Sequence, residues 1–459
     1  MSTLGGLFPA GGGKTANFTA NGAISAGKPV SLNSDGTISE ITSSSKSASL
    51  PLGSTTQIVS SGSITGTLRD ARVYADPFNH DRWVFTWVEN ASDGTDYHQA
   101  RFITRSGSSL TLGTERTIFS GGGNNDDRSG ATIRWCTHTA NKFIIGHSLD
   151  TVASLRGAVT VVTVSDSGTN PTISMGTSLR WHGSQFGFNE DFIPIGQTGR
   201  YLTLFKKSSG TRASAYIFTV TGTTIAVSST TDDLFARDTY DSSCGIAINP
   251  WDPTKGVACA IQTSGSAFYI RPFTIDGTTI TMGTERQIYH DWQTDYKAQY
   301  GKPHISYVAE DKIYLTIYVD DVDTGAYPNP PTSERYHRAF DSTIGVFIES
   351  GSYPEFNNIT GEDGTWDQNW TPNWESGSTA TVEDGYGHTD ISPNTPKTTV
   401  HAYYSGSGNY VRCVVGTVNT SNNTVSYGTD TQMDTSYSIG SGTQYGSPHV
   451  AQSHGAGGY

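Results

Sequence analysis

Residues Phe102 to Ser120 read FITRSGSSLTLGTERTIFS, and a close copy, FTIDGTTITMGTERQIYHD, begins at Phe273. Two strings this similar within one chain are an internal repeat, and a repeat determines how the rest of the sequence is organised. Each copy has a β-rich run, a turn, a second alternating run, a glycine and a further run. In the second copy the turn is Asp276-Gly277, which between alternating apolar runs is a strong hairpin signal. The stretch therefore predicts repeated antiparallel hairpins.

Weaker copies place the repeat along most of the chain. The spacing from Gly53 to Gly113 is 60 residues and from Gly113 to Gly176 is 63. From Gly113 to Gly283 it is 170, or about 57 for each of three units. The segment YGKPHI at Tyr300 returns as YGSPHV 145 residues later, the same spacing as from Gly283 to Gly428. Two markers with one spacing indicate a true structural period.

Each unit opens with strand, turn and strand and continues with two more strands. Four antiparallel strands in roughly 55 residues correspond to one blade of a β-propeller. Full units begin near residues 70, 125, 190, 240, 300 and 375. An extra closing strand lies at 53–61 and an extra opening strand at 447–453. A propeller can share one blade between its termini and so remove an exposed sheet edge. The sequence thus predicts an all-β propeller of seven four-stranded blades; the alternative is that the ends pair with neighbouring subunits.

Composition limits the classes of function. The net charge is −13 without a basic stripe, which argues against nucleic-acid binding, because phosphate neutralisation needs clustered Lys and Arg. We find no run that matches a membrane helix and no secretory signal in MSTLGGLFPAGGGK. The spacings of the four cysteines fit no zinc site, and we expect free thiols, no metal and no cofactor. Cys244 and Cys259 flank the loop 249–255 symmetrically, so we expect them to be close neighbours that face each other across one hairpin.

The chain divides into two predicted parts. Residues 1–48 are a Gly- and Ala-rich arm with a small hairpin turning at Asn33-Ser34-Asp35-Gly36. Residues 49–459 are the propeller. A loop insertion of about 325–397 falls in and after the fifth unit, and long loops on a rigid scaffold commonly carry recognition.

Aromatic residues in that insertion are the candidate binding site. Trp366, Trp370 and Trp374 lie four residues apart in a polar loop, and Tyr327 lies near the start of the insertion. Flat aromatic side chains give a large contact area, so they suit stacking on sugar rings or contact with a partner protein. The alternative is that they attach the insertion to the face of the propeller.

No catalytic residue is assigned from the sequence. Carboxylates occur in apparent loops, such as Asp232, Asp241 and Asp320, and a glycosidase needs a matched pair about 5 to 9 Å apart. Spacing alone does not exclude such a pair in a central channel. The interpretation as solvated turn residues is preferred, and we expect the protein not to be an enzyme.

The chain resembles bacteriophage tail-fibre and virion-surface proteins, especially those of marine phages. The residues that carry the resemblance are ISAGKPVSLNSDGTISEI from Ile24 and the units ending in SGSSLTLGTERTIFSGG or DGTTITMGTERQIY. The resemblance implies a location on the virion, release by lysis, and attachment to other virion proteins through the N-terminal arm. It also implies several copies or a homo-oligomer, and contact with a host-surface glycan or receptor. A polysaccharide-degrading propeller and a purely architectural tail or capsid component are the alternatives.

Overall fold

The computed structural model describes part of the chain, and every structural statement below concerns that part. Within it the regular elements are strands and there is no helix, hence none that could span a membrane. The chain divides into two compact units, Met1–Ser47 and Ala48–Tyr459. The described residues are 30–32, 37–40, 57–59, 66–91, 96–106, 109–121, 132–149, 156–166, 168–180, 186–207, 213–228, 232–236, 239–262, 268–289, 304–310, 312–322, 335–344, 346–350, 353–357, 387–392, 397–405, 410–419, 424–428 and 431–433.

The smaller unit contains one antiparallel hairpin. Val30–Leu32 (β1) pairs with Ile38–Glu40 (β2), with Ser31 opposite Ser39. The predicted turn at Asn33-Ser34-Asp35-Gly36 lies outside the described residues.

The larger unit repeats one sheet design. In sheets 1 to 4 and in sheet 6, the first three strands and the start of the fourth follow one another in antiparallel order. Sheets 1 and 2 consist of β3 Gly66–Asp76, β4 Asn79–Ala91, β5 Asp96–Ser106, β6 Ser109–Leu112, β7 Arg116–Gly121; β8 Thr132–Trp135, β9 Lys142–Leu149, β10 Arg156–Val164, β11 Ile173–Met175 and β12 Leu179–Arg180. Sheets 3 and 4 consist of β13 Phe186–Pro194, β14 Arg200–Lys207, β15 Ala213–Thr221, β16 Thr224–Val227, β17 Asp232–Asp233; β18 Thr239–Ile248, β19 Lys255–Gln262, β20 Phe268–Asp276, β21 Thr279–Met282 and β22 Arg286–Tyr289.

The later part of the chain varies this design. Sheet 5 has three described strands, and a separate hairpin precedes sheet 6. These elements are β23 His304–Ala309, β24 Lys312–Val322, β25 Arg335–Ile344; hairpin β26 Val346–Ser350 and β27 Tyr353–Asn357; and sheet 6, β28 Gly387–Ser392, β29 Lys397–Ser405, β30 Tyr410–Asn419, β31 Thr424–Tyr427 and β32 Thr431–Gln432.

The fourth strand of each complete sheet is split in two. In sheet 1 both β6 and β7 pair with β5, and Gly113 lies in the break between them. In sheet 4 the turn predicted at Asp276-Gly277 is confirmed, since Asp276 pairs with Thr279 and Gly277 has a φ of 58°. The predicted unit of four antiparallel strand positions is therefore confirmed, with the repeat glycine as an interruption in the fourth.

Consecutive sheets contact one another through their first strands. The first strands contact one another in chain order, from β3 through β8, β13, β18 and β23 to β28. The fold is all-β and propeller-like. Each sheet in the described residues is open, and neither a closed sheet nor the number of seven blades is confirmed.

The hydrophobic core lies between neighbouring sheets. Each of the three main clusters takes its buried side chains from two consecutive sheets, so face-to-face packing holds the array together. The largest side chains represent the pattern: Phe102, Trp135 and Phe143 between sheets 1 and 2, Phe192 and Phe218 between sheets 2 and 3, and Leu204, Tyr269 and Phe273 between sheets 3 and 4.

The repeat glycine marks where the next sheet approaches most closely. The Gly113 N–H donates to the Phe102 carbonyl at 2.8 Å, and Gly176, Gly283 and Gly428 make the equivalent bond in their own sheets. A Cβ atom on Gly113 would lie 1.8 Å from the Thr169 carbonyl oxygen, in the turn between the third and fourth strands of sheet 2. We call that turn the third turn of a sheet. A side chain at Gly113 would collide with it, which explains the glycine.

A cation from the preceding sheet binds the same third turn. The Lys142 ammonium donates to the Gly222 carbonyl at 3.0 Å, and the Arg82 guanidinium donates to the Asp166 carbonyl at 2.5 Å. Arg200 binds the Gly277 carbonyl in the same way. Each of these residues stands at or near the start of the second strand of its sheet, and the same position recurs in every sheet as Arg82, Lys142, Arg200, Lys255, Lys312 and Lys397.

Two sequence expectations about loops need correction. The range 325–397 is not all loop, because β25 to β28 lie inside it. Asp320 lies in β24, paired with His337, rather than in a loop. An alternating strand that carries carboxylates lacks the apolar periodicity that makes a strand visible in sequence.

The four cysteines are free, as expected from the sequence, and all four are buried. Cys244 and Cys259 share one hairpin, but Cys244 pairs with Ala260 and Cys259 with Gly245. The predicted pairing is therefore wrong by one residue, and a shift of one residue places the two side chains on opposite faces.

We expect Gly113→Ala to destabilise the protein by about 1–3 kcal/mol or more, because the added methyl group must push back the sheet 2 backbone. The midpoint of urea unfolding measures this. The control is Gly222→Asn: nothing lies within 4 Å of its Cβ position, its φ is 63°, and asparagine tolerates that region. Equal midpoints for Gly113→Ala and the wild type would contradict the close approach.

Candidate functional site: the first-turn face

The turns between the first and second strands form a connected surface, which we call the first-turn face. It consists of residues 76–82, 136–142, 195–200, 249–255 and 310. The Thr137 hydroxyl donates to the Gly196 carbonyl at 3.1 Å, linking sheets 2 and 3. Asn249 Nδ2 donates to the Glu310 carbonyl at 2.8 Å, linking sheets 4 and 5. Hydrogen bonds between successive turns make the face a rigid platform.

A buried ion pair connects sheets 1 and 2 on this face. Arg82 is 0% and Asp76 1% exposed, and Arg82 Nε donates to Asp76 Oδ2 at 2.7 Å. Arg82 Nη2 also donates to Asn141 Oδ1 at 3.0 Å, and the guanidinium lies 4.8 Å from the Trp135 ring centre. Since its hydrogen bonds go to protein groups, Arg82 holds the turns together and is not available to a ligand.

A second cluster joins sheets 2 and 3. His138 Nδ1 lies 2.9 Å from the Tyr201 hydroxyl, which also accepts a bond from the Thr137 N–H at 3.1 Å. Burial raises the pKa of the Cys136 thiol to about 11 and lowers that of His138. Burial also raises the pKa of Tyr201. A protonated thiol, a neutral imidazole and a protonated phenol contain no activated nucleophile, so this cluster is structural.

Two exposed aromatic side chains project from equivalent turns. Phe78 is 49% and Trp251 45% exposed. They lie in the segments DPFNHDR, from Asp76, and NPWDPTK, from Asn249, each ending in the cation at the start of the second strand. In both segments the first side chain accepts a hydrogen bond from the N–H two residues later, at 2.9 Å. The two turns therefore present their aromatic rings on the same backbone scaffold.

Charged and hydroxyl groups lie in the same turn as Trp251. Next to Trp251, Asp252 pairs with Lys255 at 3.2 Å and accepts a bond from the Thr254 hydroxyl at 2.6 Å. Burial alone would raise the pKa of Asp252, but the bonds from Thr254 and Lys255 lower it. The carboxylate is ionised at neutral pH, so the turn that carries Trp251 also carries a fixed set of polar groups.

The first strands, which contact one another from sheet to sheet, form a second candidate site. In three first strands the pairing with the second strand is interrupted: between Arg69 and Arg72 in β3, Phe188 and Phe192 in β13, and Thr239 and Cys244 in β18. Interruptions of this kind are common beside active sites. The residues inside them are Asp70-Ala71, Asn189-Glu190-Asp191 and Tyr240-Asp241-Ser242-Ser243.

The sequence-predicted binding residues Trp366, Trp370, Trp374 and Tyr327 lie outside the described residues. Phe78 and Trp251 were not predicted as a site. The signal is present in the sequence, because each follows an Asx-Pro pair and precedes the cation by four residues. Among the described residues no group of three or more His, Cys, Asp or Glu could hold a metal ion.

Comparison with known proteins shows similarity at the level of solved structures alone. No protein-family model and no curated protein matches the chain. A Hadza microbial sialidase matches over 79% of this chain and 65% of its own length, at 10% identity and a TM-score of 0.40. A hypothetical selenium-binding protein from Sulfolobus tokodaii matches over 80% and 92%, at 8% identity and 0.40. Chaetomium thermophilum Sqt1, solved bound to the N-terminus of ribosomal protein L10, matches over 77% and 72%, at 9% and 0.38. The chain thus spans about two thirds of the sialidase, and at these scores the matches carry no functional argument.

We expect Arg82→Met to cost about 3–5 kcal/mol of stability, because it leaves the buried Asp76 carboxylate without its counter-ion. The matched control is Arg105→Met, whose partner Asp81 is 59% exposed; this change should cost under about 1 kcal/mol. Adding Asp76→Asn to Arg82→Met should recover part of the loss. Urea unfolding of the four proteins measures these values, and equal losses for Arg82→Met and Arg105→Met would contradict the described burial.

Proposed function

We propose that this chain is a non-enzymatic virion protein, a tail fibre or another surface-displayed propeller, that contacts the host cell surface through its first-turn face. The observation that carries the proposal is the pair of exposed rings, Phe78 and Trp251, on equivalent rigid turns. Aromatic rings that are fixed before binding lose little conformational entropy on contact, so they suit recognition.

The virion location rests on the sequence resemblance of the segment from Ile24 to the N-terminal segments of such proteins. Its hairpin, β1 with β2, lies in the smaller unit. In this proposal residues 1–48 attach the chain to other virion proteins, and the particle carries several copies.

We further propose a ring of seven blades, closed by strands from both termini. Arg271 of sheet 4 donates to the carbonyl of Leu234, at the end of sheet 3, at 3.1 Å. Arg101, the equivalent residue of sheet 1, donates to the Ile58 carbonyl. Residues 57–59 thus contact sheet 1 as the end of sheet 3 contacts sheet 4, which supports assigning the predicted closing strand to a further blade before sheet 1. Trp87 and Gln99, on the face of sheet 1 turned away from sheet 2, are buried, which supports a further sheet there.

A second candidate function is degradation of a polysaccharide, favoured by the interruptions in β13 and β18. These two first strands contact each other, and their interruptions carry Glu190, Asp191 and Asp241. A glycosidase works with two carboxyl groups on neighbouring elements.

Labelling of purified phage particles with gold-tagged antibody against residues 325–397 tests the virion proposal. Label at the distal tail is expected for host recognition. Label spread over the capsid would indicate an architectural role, and no label on any particle, with the chain found in the lysate, would overturn the proposal.

The enzymatic candidate predicts that the purified protein releases reducing ends from the host's envelope polysaccharide. Glu190→Gln and Asp241→Asn should each lower the rate by about 100-fold or more, because each removes one carboxylate of the pair. Asp276→Asn, at the exposed third turn of sheet 4, is the control and should be as active as the wild type. An inactive wild-type protein would exclude this candidate for that polysaccharide.

A further inference from the structure

We propose that the ligand of the first-turn face is a neutral carbohydrate, and that the Asx-Pro turns of sheets 4 and 1 are separate stacking subsites centred on Trp251 and Phe78. The inference rests on the proposed function and deepens it, since it names the chemical class of the ligand and the groups that bind it.

Each turn is preorganised. In sheet 4, Asn249 is 1% exposed, and its Oδ1 accepts the N–H groups of Trp251 at 2.9 Å and Asp252 at 3.3 Å. Its Nδ2 is held by the Glu310 carbonyl of sheet 5. Pro250 and Pro253 on either side restrict the backbone further. The indole is therefore exposed on a backbone that does not need to order when a ligand arrives.

The surroundings of the ring favour a sugar over a protein partner. A protein hot spot places an aromatic residue inside a ring of contacts that exclude water, within an interface of more than about 1,000 Å². Trp251 instead stands beside Asp252, Thr254 and Lys255, which are hydrogen-bonding groups. A turn that combines an exposed apolar ring with such groups matches a sugar, which has an apolar C–H face and hydroxyl groups around its rim.

The equivalent turn of sheet 1 has the same chemistry. Phe78 follows Asp76-Pro77, and the Asp81 carboxylate nearby pairs with Arg105 at 2.8 Å. Phenylalanine offers a smaller face than tryptophan and no N–H group, so we expect the sheet 1 subsite to be the weaker one. Two subsites on one rigid unit suit a polymer or a densely glycosylated surface, where the second contact forms at a high effective concentration.

Charge selects among carbohydrates. The chain has a net charge of −13, and this charge repels polyanionic chains at ordinary ionic strength. Because the local acid Asp252 is ionised, it accepts hydrogen bonds from sugar hydroxyls rather than binding sugar carboxylates. The ligand is therefore a neutral glycan.

The test measures binding of the full-length, fluorescently labelled protein to cells of a bacterial strain that the particle infects. We expect mild periodate oxidation of the cells, which cleaves the vicinal diols of sugars, to abolish binding, whereas protease treatment leaves it intact. We expect Trp251→Ala to weaken binding at least tenfold, Phe78→Ala to weaken it less, and Trp251→Phe to retain most of it.

The controls are Leu110→Ala and Met175→Ala, which remove exposed apolar side chains of the outer strands β6 and β11 and should not change binding. Because Trp251 and Phe78 are exposed, their variants should melt at the wild-type temperature.

Binding that survives periodate but not protease would overturn the carbohydrate proposal and leave the host-contact function standing. Binding unchanged in both the Trp251 and Phe78 variants would overturn the two subsites. No binding of the wild type to any susceptible strain would overturn the proposed function itself.

Discussion

The arrangement of sheets 1 to 4 depends on how the third turn of one sheet packs against the sheet before it. A glycine, such as Gly113, lets the turn backbone approach to a distance at which no side chain fits. A cation from the same preceding sheet, such as Arg82 or Lys142, binds a carbonyl of that turn. Hydrophobic burial between sheets is non-directional and does not set their relative position. The glycine contact and the cation–carbonyl bond do set it, because both are lost when the turn moves by a small distance.

The contact between the cation and the third turn also stabilises the first-turn face. The cations stand at or near the start of the second strand, directly after the first turn, so the contact that positions the next sheet also holds the turn from which it comes. In sheet 1 the turn is fixed further by the buried Asp76 carboxylate and in sheet 4 by Asn249. The exposed rings of Phe78 and Trp251 belong to the same two turns, so the interactions that align the sheets also orient the proposed contact residues.

Much of the fold could be predicted from the sequence, because turns and close backbone contacts require glycine, and the spacing of these glycines reveals the repeat. The spacing from Gly113 to Gly176 and the Asp276-Gly277 turn identified the unit and its four strand positions. The recurring cation was missed because the position is Arg in some sheets and Lys in others, and neither residue marks a turn or a strand in the sequence. Phe78 and Trp251 were missed for a different reason: their shared Asx-Pro spacing marks the two turns, but the exposure of the rings follows from packing between distant segments. Pairing in the hairpin of Cys244 and Cys259 was wrong by one residue, since the register depends on the geometry of the turn.

The free cysteines have a consequence for where the chain can mature. Cys136, Cys244, Cys259 and Cys413 are buried in sheets 2, 4 and 6, and none contributes a covalent link. Folding thus requires no disulfide formation, and a reducing environment breaks no bond in the folded chain. Once folded, the protonated Cys136 thiol is also a poor target for oxidants, because the thiolate is the reactive form. A protein of this kind can fold inside a reducing cell and later meet an oxidising environment without a change in its covalent structure.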